Sequence, residues 1–110
     1  MTTWLAADYL RLHPRTVMER ARKGELPARK FGHDWRFSRR ALDEALSGRR
    51  EPPEADQVLT SEEVCVLLGF GAHKVGRLAR TGELPSTGTG RARRFSRAAI
   101  LGLLHTPPSH

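Results

Sequence analysis

The sequence predicts a mainly α-helical fold with small β-hairpins, an α+β arrangement in which one small unit occurs twice in tandem. Residues 1–46 align without a gap on residues 59–104, and 16 of the aligned residues are identical. Both copies carry the blocks Gly-Glu-Leu-Pro and Arg-Phe-Ser-Arg at the same places. An internal repeat is the signature of a repeated structural unit, so we expect the function to use two copies of one surface.

The repeat suggests a division of the 110-residue chain into two modules, a linker and a tail. We call residues 1–46 repeat 1 and residues 59–105 repeat 2; residues 47–58 are the expected linker and residues 106–110 a disordered tail. Gly48, Pro52 and Pro53 stand among alternating charges, which predicts an unstructured linker. A unit this small buries only a thin core, so we expect the modules to pack together or to be stabilised by a partner.

The charge is strongly positive and evenly divided between the repeats. The formal net charge is +7, with 19 Lys and Arg against 12 Asp and Glu. Each repeat carries +4 by itself and the linker carries −1, so the excess is not a detachable basic tail. Such a distribution indicates a polyanionic partner, most often nucleic acid. The alternative is that the charge serves solubility alone.

The residues that could support catalysis or metal binding are sparse. Cys65 is the single cysteine, and its apolar helical setting predicts a buried free thiol in a reducing compartment. The five histidines show no metal-ligand spacing, and no catalytic or nucleotide-binding motif is present. We therefore expect no enzymatic activity, no metal and no cofactor. With no signal peptide, transmembrane run or lipidation motif, the expected location is the cytoplasm, without a membrane partner.

Each repeat shows the pattern helix, turn, helix, hairpin, helix. Thr60 and Glu63 predict a capping box at the start of the first helix of repeat 2. Pro14 suits the first turn of the second helix in repeat 1. That helix is expected to end near Gly24 in repeat 1 and near Gly82 in repeat 2.

A short hairpin and a third helix are expected to complete each repeat. In repeat 1 the predicted strands are residues 28–31 and 35–37, joined by the turn 32–34; residues 90–92 are the matching turn in repeat 2. Ser38 and Ser96 are the expected N-caps of the third helices. The third helices are expected to bury Leu42 and Leu46 in repeat 1, and Ile100 and Leu104 in repeat 2. Phe37 and Phe95 are predicted core residues, and Trp35 a cap on the core.

The outer face of the second helix is rich in long polar side chains. These are Arg15, Thr16, Glu19 and Arg22 in repeat 1, and His73, Lys74, Arg77 and Arg80 in repeat 2. A helix of about two turns with so many donors is suited to reading DNA base edges. The alternative is an ordinary solvated helix face.

The run Tyr9–Val17, the corner Gly24–Pro27 and the triplet Trp35-Arg36-Phe37 closely resemble the excisionase-type, MerR-like winged helix-turn-helix family. That family includes phage and plasmid excisionases, also called recombination directionality factors, and small bacterial regulators. The resemblance extends over both repeats. It implies two tandem winged helix-turn-helix modules of a bacterial or phage protein. Each second helix would then enter the major groove, with its N-terminal residues on base edges.

The resemblance also implies DNA contacts from the hairpins, or wings, and from the starts of the third helices. The wing candidates are Arg29, Lys30, His33 and Arg36 in repeat 1, and Arg91, Arg93 and Arg94 in repeat 2. Arg39 and Arg97 stand at the starts of the third helices, where phosphate binds well. These residues would position the protein on backbone or in the minor groove. The alternative for the wings is protection of a strand edge by charge.

The expected function is sequence-specific binding of double-stranded DNA, as a small transcription regulator or as an excisionase. The candidate further partners are an integrase, the transcription machinery and a second copy of the chain along DNA. Direct and inverted half-sites remain open. The rival hypothesis is a protein-interaction adaptor in which one repeat has lost DNA binding, with Leu101 and Leu103 as sources of an exposed apolar patch. RNA binding is a weaker rival, because the hairpins lack exposed aromatic residues that stack on bases.

Overall fold

The computed structural model describes residues 1–49 and 55–105 of the chain. Repeat 1 contains three helices and one hairpin: α1 (Thr3–Leu10), α2 (Pro14–Arg22), β1 (Arg29–Phe31), β2 (Asp34–Arg36) and α3 (Arg39–Ser47). Repeat 2 and the residues before it contain β3 (Val58–Leu59), α4 (Ser61–Leu68), α5 (Ala72–Thr81), a 3-10 turn (Gly90–Ala92), β4 (Phe95–Ser96) and α6 (Arg97–His105). The predicted fold class, mainly α with small two-stranded sheets, is confirmed. The predicted tail and most of the proline-containing part of the linker lie outside the described residues.

The described residues form two compact units. One contains residues 1–49 together with the end of α6 from Gly102 onward, and the other contains residues 55–101. No helix in these residues is long and apolar enough to cross a membrane.

The starts of the first helices follow the predicted capping. In repeat 2 the backbone N–H of Glu63 donates to Thr60 Oγ1 over 3.3 Å, and the backbone N–H of Thr60 donates to Glu63 Oε1 over 3.0 Å. This reciprocal pair is the predicted capping box. In repeat 1 Thr2 still accepts from the backbone N–H of Leu5, but Leu5 cannot return the bond.

The second helices begin and end through local chemistry. The backbone N–H of Arg15 donates to His13 Nδ1 over 3.1 Å, so His13 caps α2 in the place where Gly71 offers no side chain to α5. At the other end the backbone N–H of Glu25 donates to the Arg20 carbonyl over 2.8 Å. Gly24, at φ +77°, makes this helix-ending turn possible, because glycine adopts the left-handed region without steric cost.

The core of repeat 1 is built from small residues on the helices and aromatic residues from the hairpin. The buried cluster comprises Ala6, Ala7, Val17, Ala21, Leu26, Ala28, Trp35, Phe37 and Leu42. Leu12, in the turn between α1 and α2, packs against it. The predictions for Trp35 and Phe37 are confirmed. The prediction that Leu46 is buried is wrong, because Leu46 is 67% exposed in the last turn of α3.

Repeat 2 has a more aliphatic core. Its buried residues are Leu59, Val64, Leu68, Phe70, Val75, Leu78, Ala79, Leu84, Phe95 and Ile100. Leu104 is also buried, but it lies in the part of α6 that belongs to the unit of residues 1–49. Ile100, Leu104 and Phe95 are therefore confirmed as core residues. Cys65 is a free thiol, as predicted, but it is half-buried rather than buried.

The prediction of an unstructured linker is wrong at its C-terminal end. Val58 and Leu59 form β3, which pairs antiparallel with β4 through the partners Val58↔Ser96 and Leu59↔Phe95. Repeat 1 has the same connection in shorter form, since the backbone N–H of Phe37 donates to the Met1 carbonyl over 2.8 Å. The residue before the N-cap of each first helix, Met1 or Leu59, therefore ties that helix to the end of the wing.

The two predicted hairpins differ. In repeat 1, β1 and β2 pair from Arg29↔Arg36 to Phe31↔Asp34, which leaves Gly32 and His33 as a two-residue turn. Gly32 has φ +69°, as the first central residue of a type II′ hairpin turn requires. In repeat 2 the predicted hairpin is reduced to the single bridge Thr87↔Arg94, and Gly90–Ala92 form the 3-10 turn.

Gly102 offers a clean test of the helical description of α6. It lies in the helix interior, is exposed, and a Cβ added there would meet no atom within 4 Å. Gly102→Ala is therefore expected to raise the free energy of unfolding by roughly 0.5–1 kcal/mol, since alanine loses less backbone entropy in a helix. Thermal denaturation measures the change. A lower midpoint would mean that α6 does not have this conformation.

Candidate nucleic-acid interface

The second helix of repeat 1 presents a polar stripe opposite the core. Val17 and Ala21 are fully buried, which fixes the rotation of α2 about its axis. Arg15, Glu19 and Arg22 follow one another at i, i+4 and i+7 on the outer side, and all three are exposed. Thr16, beside this row, is half-buried. We call Arg15, Glu19 and Arg22 stripe 1.

The second helix of repeat 2 repeats this arrangement with different residues. Val75 and Leu78 are at most 1% exposed, and they turn the opposite face of α5 outward. His73, Arg77 and Arg80 occupy the positions of Arg15, Glu19 and Arg22, and all are exposed. We call them stripe 2.

Lys74 differs from the residues of stripe 2. It is half-buried, and its Nζ lies 4.5 Å from the centre of the Phe70 ring, a distance at which a cation is attracted to the ring. The Lys74 ammonium is thus held at the turn between α4 and α5.

The wing of repeat 1 adds positive charge beside the core. Lys30 is exposed on β1, with its Nζ 6.0 Å from the centre of the Trp35 ring, and His33 is exposed in the turn. Arg29, at the start of β1, is half-buried.

Arg36 is placed differently from the other wing candidates. It is only 8% exposed, and its Nη1 donates to the Trp35 carbonyl over 2.9 Å. Burial lowers the pKa of the Arg36 guanidinium from its ordinary value, while the nearby Asp34 carboxylate acts in the opposite direction. A guanidinium in this position supports the hairpin, and its burial removes Arg36 from the set of accessible contacts.

The wing of repeat 2 is compact and basic. Arg91 and Arg94 are exposed, and Arg93 is half-buried with its Nη1 donating to Ser86 Oγ over 3.0 Å. Arg94 Nη1 donates to the carbonyls of Arg91 and Arg93, each over 2.9 Å. Gly88, at φ +77°, is required here, because a Cβ would lie 2.6 Å from the Ala92 carbonyl oxygen.

The start of α3 keeps its arginine at the surface. Ser38 Oγ accepts from the backbone N–H of Ala41 over 3.3 Å, as predicted. Arg39 is exposed, and its guanidinium carbon lies 5.5 Å from the centre of the Tyr9 ring. The Tyr9 hydroxyl in turn donates to the Asp43 carboxylate, so Arg39 stands on a ring that is itself held in place.

The start of α6 carries an internal carboxylate. Asp56 Oδ1 accepts from the backbone N–H of Ala98 over 3.0 Å and from the Ser96 hydroxyl over 3.0 Å. Ser96 Oγ also accepts from the backbone N–H of Ala99 over 3.1 Å, so the predicted Ser96 cap is present but shared with Asp56. Arg97 beside it is half-buried. An anion from this chain therefore stands where the resemblance implied a phosphate, and the two would compete for these donors.

The Asp56 cap predicts an acid-sensitive step in the stability of repeat 2. The hydrogen bond from the Ala98 backbone, followed by those from Ser96 and Gln57, lowers the pKa of Asp56 from its ordinary value. Because the folded-state pKa is depressed, the stabilisation is present above the unfolded pKa of about 3.9 and is lost as pH falls through the lower folded value. Asp56→Ala should lower the denaturation midpoint at pH 7. The difference from the original protein should disappear toward the acid end, and a difference independent of pH would contradict this role.

Arg11 is a surface cation that sequence reasoning missed. It ends α1 with φ +55°, and it is the one non-glycine residue with positive φ among the residues described. Its counterpart in repeat 2 is Gly69, at φ +70°. An exposed arginine that occupies a position suited to glycine is a candidate functional residue. The signal available in the sequence was the Arg–Gly mismatch at the end of the first helix.

Clusters of His, Cys, Asp or Glu that could hold a metal ion are absent from the part of the chain that the structure describes. The described site is thus a set of cationic and hydrogen-bonding side chains on two second helices and two wings.

Comparison with known proteins gives one result. The family model described as a helix-turn-helix domain matches residues 1–50 and matches again over residues 58–105. The two matched segments correspond to the two repeats. No curated protein and no solved structure matches the chain.

Proposed function

Because this chain belongs to the helix-turn-helix family of DNA-binding proteins, with two copies of the domain, we propose that it binds double-stranded DNA in a sequence-specific manner through both repeats. The observation that carries the proposal is the recurrence of the same exposed stripe on α2 and α5. Each stripe lies on the second helix of its repeat, which is the helix that enters the major groove in helix-turn-helix proteins.

In this proposal the first two residues of each stripe read base edges, and the other cations, including Arg22 and Arg80, hold the backbone. Arg15 and Arg77 have the donors for a guanine edge, whereas Lys30, Arg39, Arg91 and Arg94 supply charge to phosphates. His33 and Arg93, which also lie on the wings, belong to the same group of backbone contacts in this proposal. Arg36 is buried, and Arg97 shares its helix start with Asp56, so neither belongs to the first set of contacts to be tested.

The direct test is a salt titration of binding to a mixed-sequence duplex, with the matching single strand and an RNA duplex as competitors. Binding to phosphates releases counterions, so the logarithm of the affinity should fall linearly with the logarithm of salt concentration. Lys30→Gln should make that slope shallower by about 0.9, the value for one phosphate contact. Arg49→Gln removes an exposed cation outside both repeats and should leave the slope unchanged. Equal binding of duplex and RNA would contradict the proposal.

Two biological roles fit this activity: a small transcription regulator, and an excisionase that bends attachment-site DNA for an integrase. Both roles need a specific DNA site. They differ in where that site lies and in how strongly the bound protein bends the duplex. A bound site that overlaps a promoter favours regulation. Strong bending together with stimulation of an integrase favours excision. A bacterial or phage protein of the cytoplasm fits either role, and self-association along the DNA belongs to the second.

An adaptor protein is the second candidate function, with one repeat holding a protein instead of DNA. Two observations on repeat 2 favour it: its reduced wing, and the 85% exposure of Val66 on α4. Leu101 and Leu103, which the sequence analysis expected to form an exposed apolar patch, are half-buried rather than exposed. Loss of duplex binding after changes in repeat 1 but not in repeat 2 would support the adaptor hypothesis.

A further inference from the structure

Stripe 1 and stripe 2 differ most at their central position. The last residue is arginine in both, Arg22 and Arg80, and the first is a polar or basic residue in both. The centre is Glu19 in repeat 1 and Arg77 in repeat 2, so the sign of the charge is inverted at one structurally equivalent place. Both residues are exposed, one helical turn beyond the start of their helices.

The Glu19 carboxylate is not explained by a structural role. Arg15 and Lys23 lie four residues to either side of it, at the spacing at which helical ion pairs form. Within residues 1–49 and 55–105, however, no hydrogen bond or ion pair engages the Glu19 side chain. Its neighbours on the core side, Val17 and Ala21, are fully buried, so the carboxylate stands on the same outer surface as Arg15 and Arg22.

A carboxylate in the middle of a DNA-facing stripe repels phosphates, and it therefore weakens non-specific binding. It becomes favourable only where it meets a hydrogen-bond donor in the groove. In the major groove glutamate accepts from the exocyclic amine of cytosine, whereas arginine donates two bonds to O6 and N7 of guanine. Arg22 and Arg80, at the third position, are identical in the two repeats and so cannot make the half-sites differ. They fit a contact to the DNA backbone that both repeats make.

We propose that Glu19 and Arg77 are the residues that make the two half-sites different, Glu19 selecting cytosine and Arg77 selecting guanine at equivalent positions. This inference rests on the proposed function, because it assumes that both stripes enter the major groove. At this position the two half-sites then contain the same base pair in opposite orientation. The protein reads a composite site that two identical copies of either repeat could not read.

The test is a base-by-base scan of the bound site with the original protein and two variants. Every base pair of the site is replaced in turn, and the affinity of each duplex is measured. Glu19→Gln keeps the shape of the side chain and exchanges the carboxylate for an amide, which pairs with adenine. It should shift the preference at one base pair of one half-site from cytosine toward adenine, by about tenfold or more. Arg77→Gln should do the same to the guanine of the other half-site.

Arg22→Gln and Arg80→Gln are the matched controls. They remove a positive charge from the same stripes, and they should weaken binding to all the duplexes alike, without changing the preferred base. A Glu19→Gln protein that binds as tightly as the original and keeps every base preference overturns the inference while leaving the proposed function in place. A scan in which the original protein discriminates at no position overturns both. These substitutions lie on exposed helix faces, so the folded state is retained in each variant.

Discussion

Reversing the charge of Arg15 is expected to reduce duplex affinity at least about tenfold, and Arg77→Glu should have an effect of similar size in repeat 2. A single good side-chain contact to a base edge contributes about 1–3 kcal/mol. The substituted carboxylate adds repulsion from phosphates in the same groove, so the loss should exceed that of a neutral replacement. Equilibrium titration of a labelled duplex at fixed salt measures both effects.

Arg49→Glu is the control for this prediction, because it makes the same change of charge at an exposed residue outside both repeats. It should alter affinity only slightly. If Arg15→Glu and Arg77→Glu bind no more weakly than Arg49→Glu does, then α2 and α5 do not face the DNA. A loss confined to one repeat would assign DNA binding to that repeat alone.

Replacing Phe37 by alanine is expected to unfold repeat 1. Phe37 is fully buried, and its ring joins the end of the wing to α1, α2 and α3 through the shared core. Loss of a buried phenylalanine ring costs about 3–5 kcal/mol. The free energy of unfolding of a protein amounts to roughly 0.1 kcal/mol per residue. For a unit as small as repeat 1 it is therefore of the same size as the cost of losing the Phe37 ring.

Hydrogen exchange followed by NMR distinguishes the two repeats in this experiment. In Phe37→Ala the amides of α1 and α2 should lose protection. Phe37→Leu is the matched control, because it keeps an apolar side chain in the cavity and should retain most of the protection. Phe95→Ala should produce the corresponding loss in repeat 2, where Phe95 is 2% exposed. Unchanged protection in Phe37→Ala would mean that this ring does not support the core.

The helices could be predicted from sequence because their signals are local. The capping box of Thr60 and Glu63, the glycine at the end of α2 and the inward pairs of Val17 with Ala21 each depend on neighbours within one or two turns. The same local reasoning predicted the two outer helix faces that carry the stripes, but it also placed Thr16 and Lys74 there, and these two are half-buried. The direction of each outer face needs only the helical period and the identity of the inward residues.

The failures depended on contacts between distant parts of the chain. Leu46 matches the buried Leu104 in the alignment, but its burial depends on what packs against the last turn of the helix. Asp56 was assigned to an unstructured linker, yet it bonds to residues some 40 positions away. The burial of Arg36 likewise follows from tertiary packing, because nothing in the sequence distinguishes it from the exposed Arg94.

The wing of repeat 2 shows how few residues decide a hairpin. The turn glycine is kept, as Gly32 in one copy and Gly90 in the other, but Gly88 and Thr89 replace Lys30 and Phe31. Without the buried Phe31 and Trp35 there is little apolar surface to hold two strands together, and a 3-10 turn forms instead.

Selection of bound sequences from a random pool of DNA duplexes tests the central claim most directly. Specific recognition by both repeats predicts two different enriched motifs at a fixed spacing, and their orientation gives the arrangement of the half-sites. Enrichment of a single motif would restrict sequence recognition to one repeat. Binding without any enrichment, or no binding at moderate salt, would contradict sequence-specific recognition by this protein.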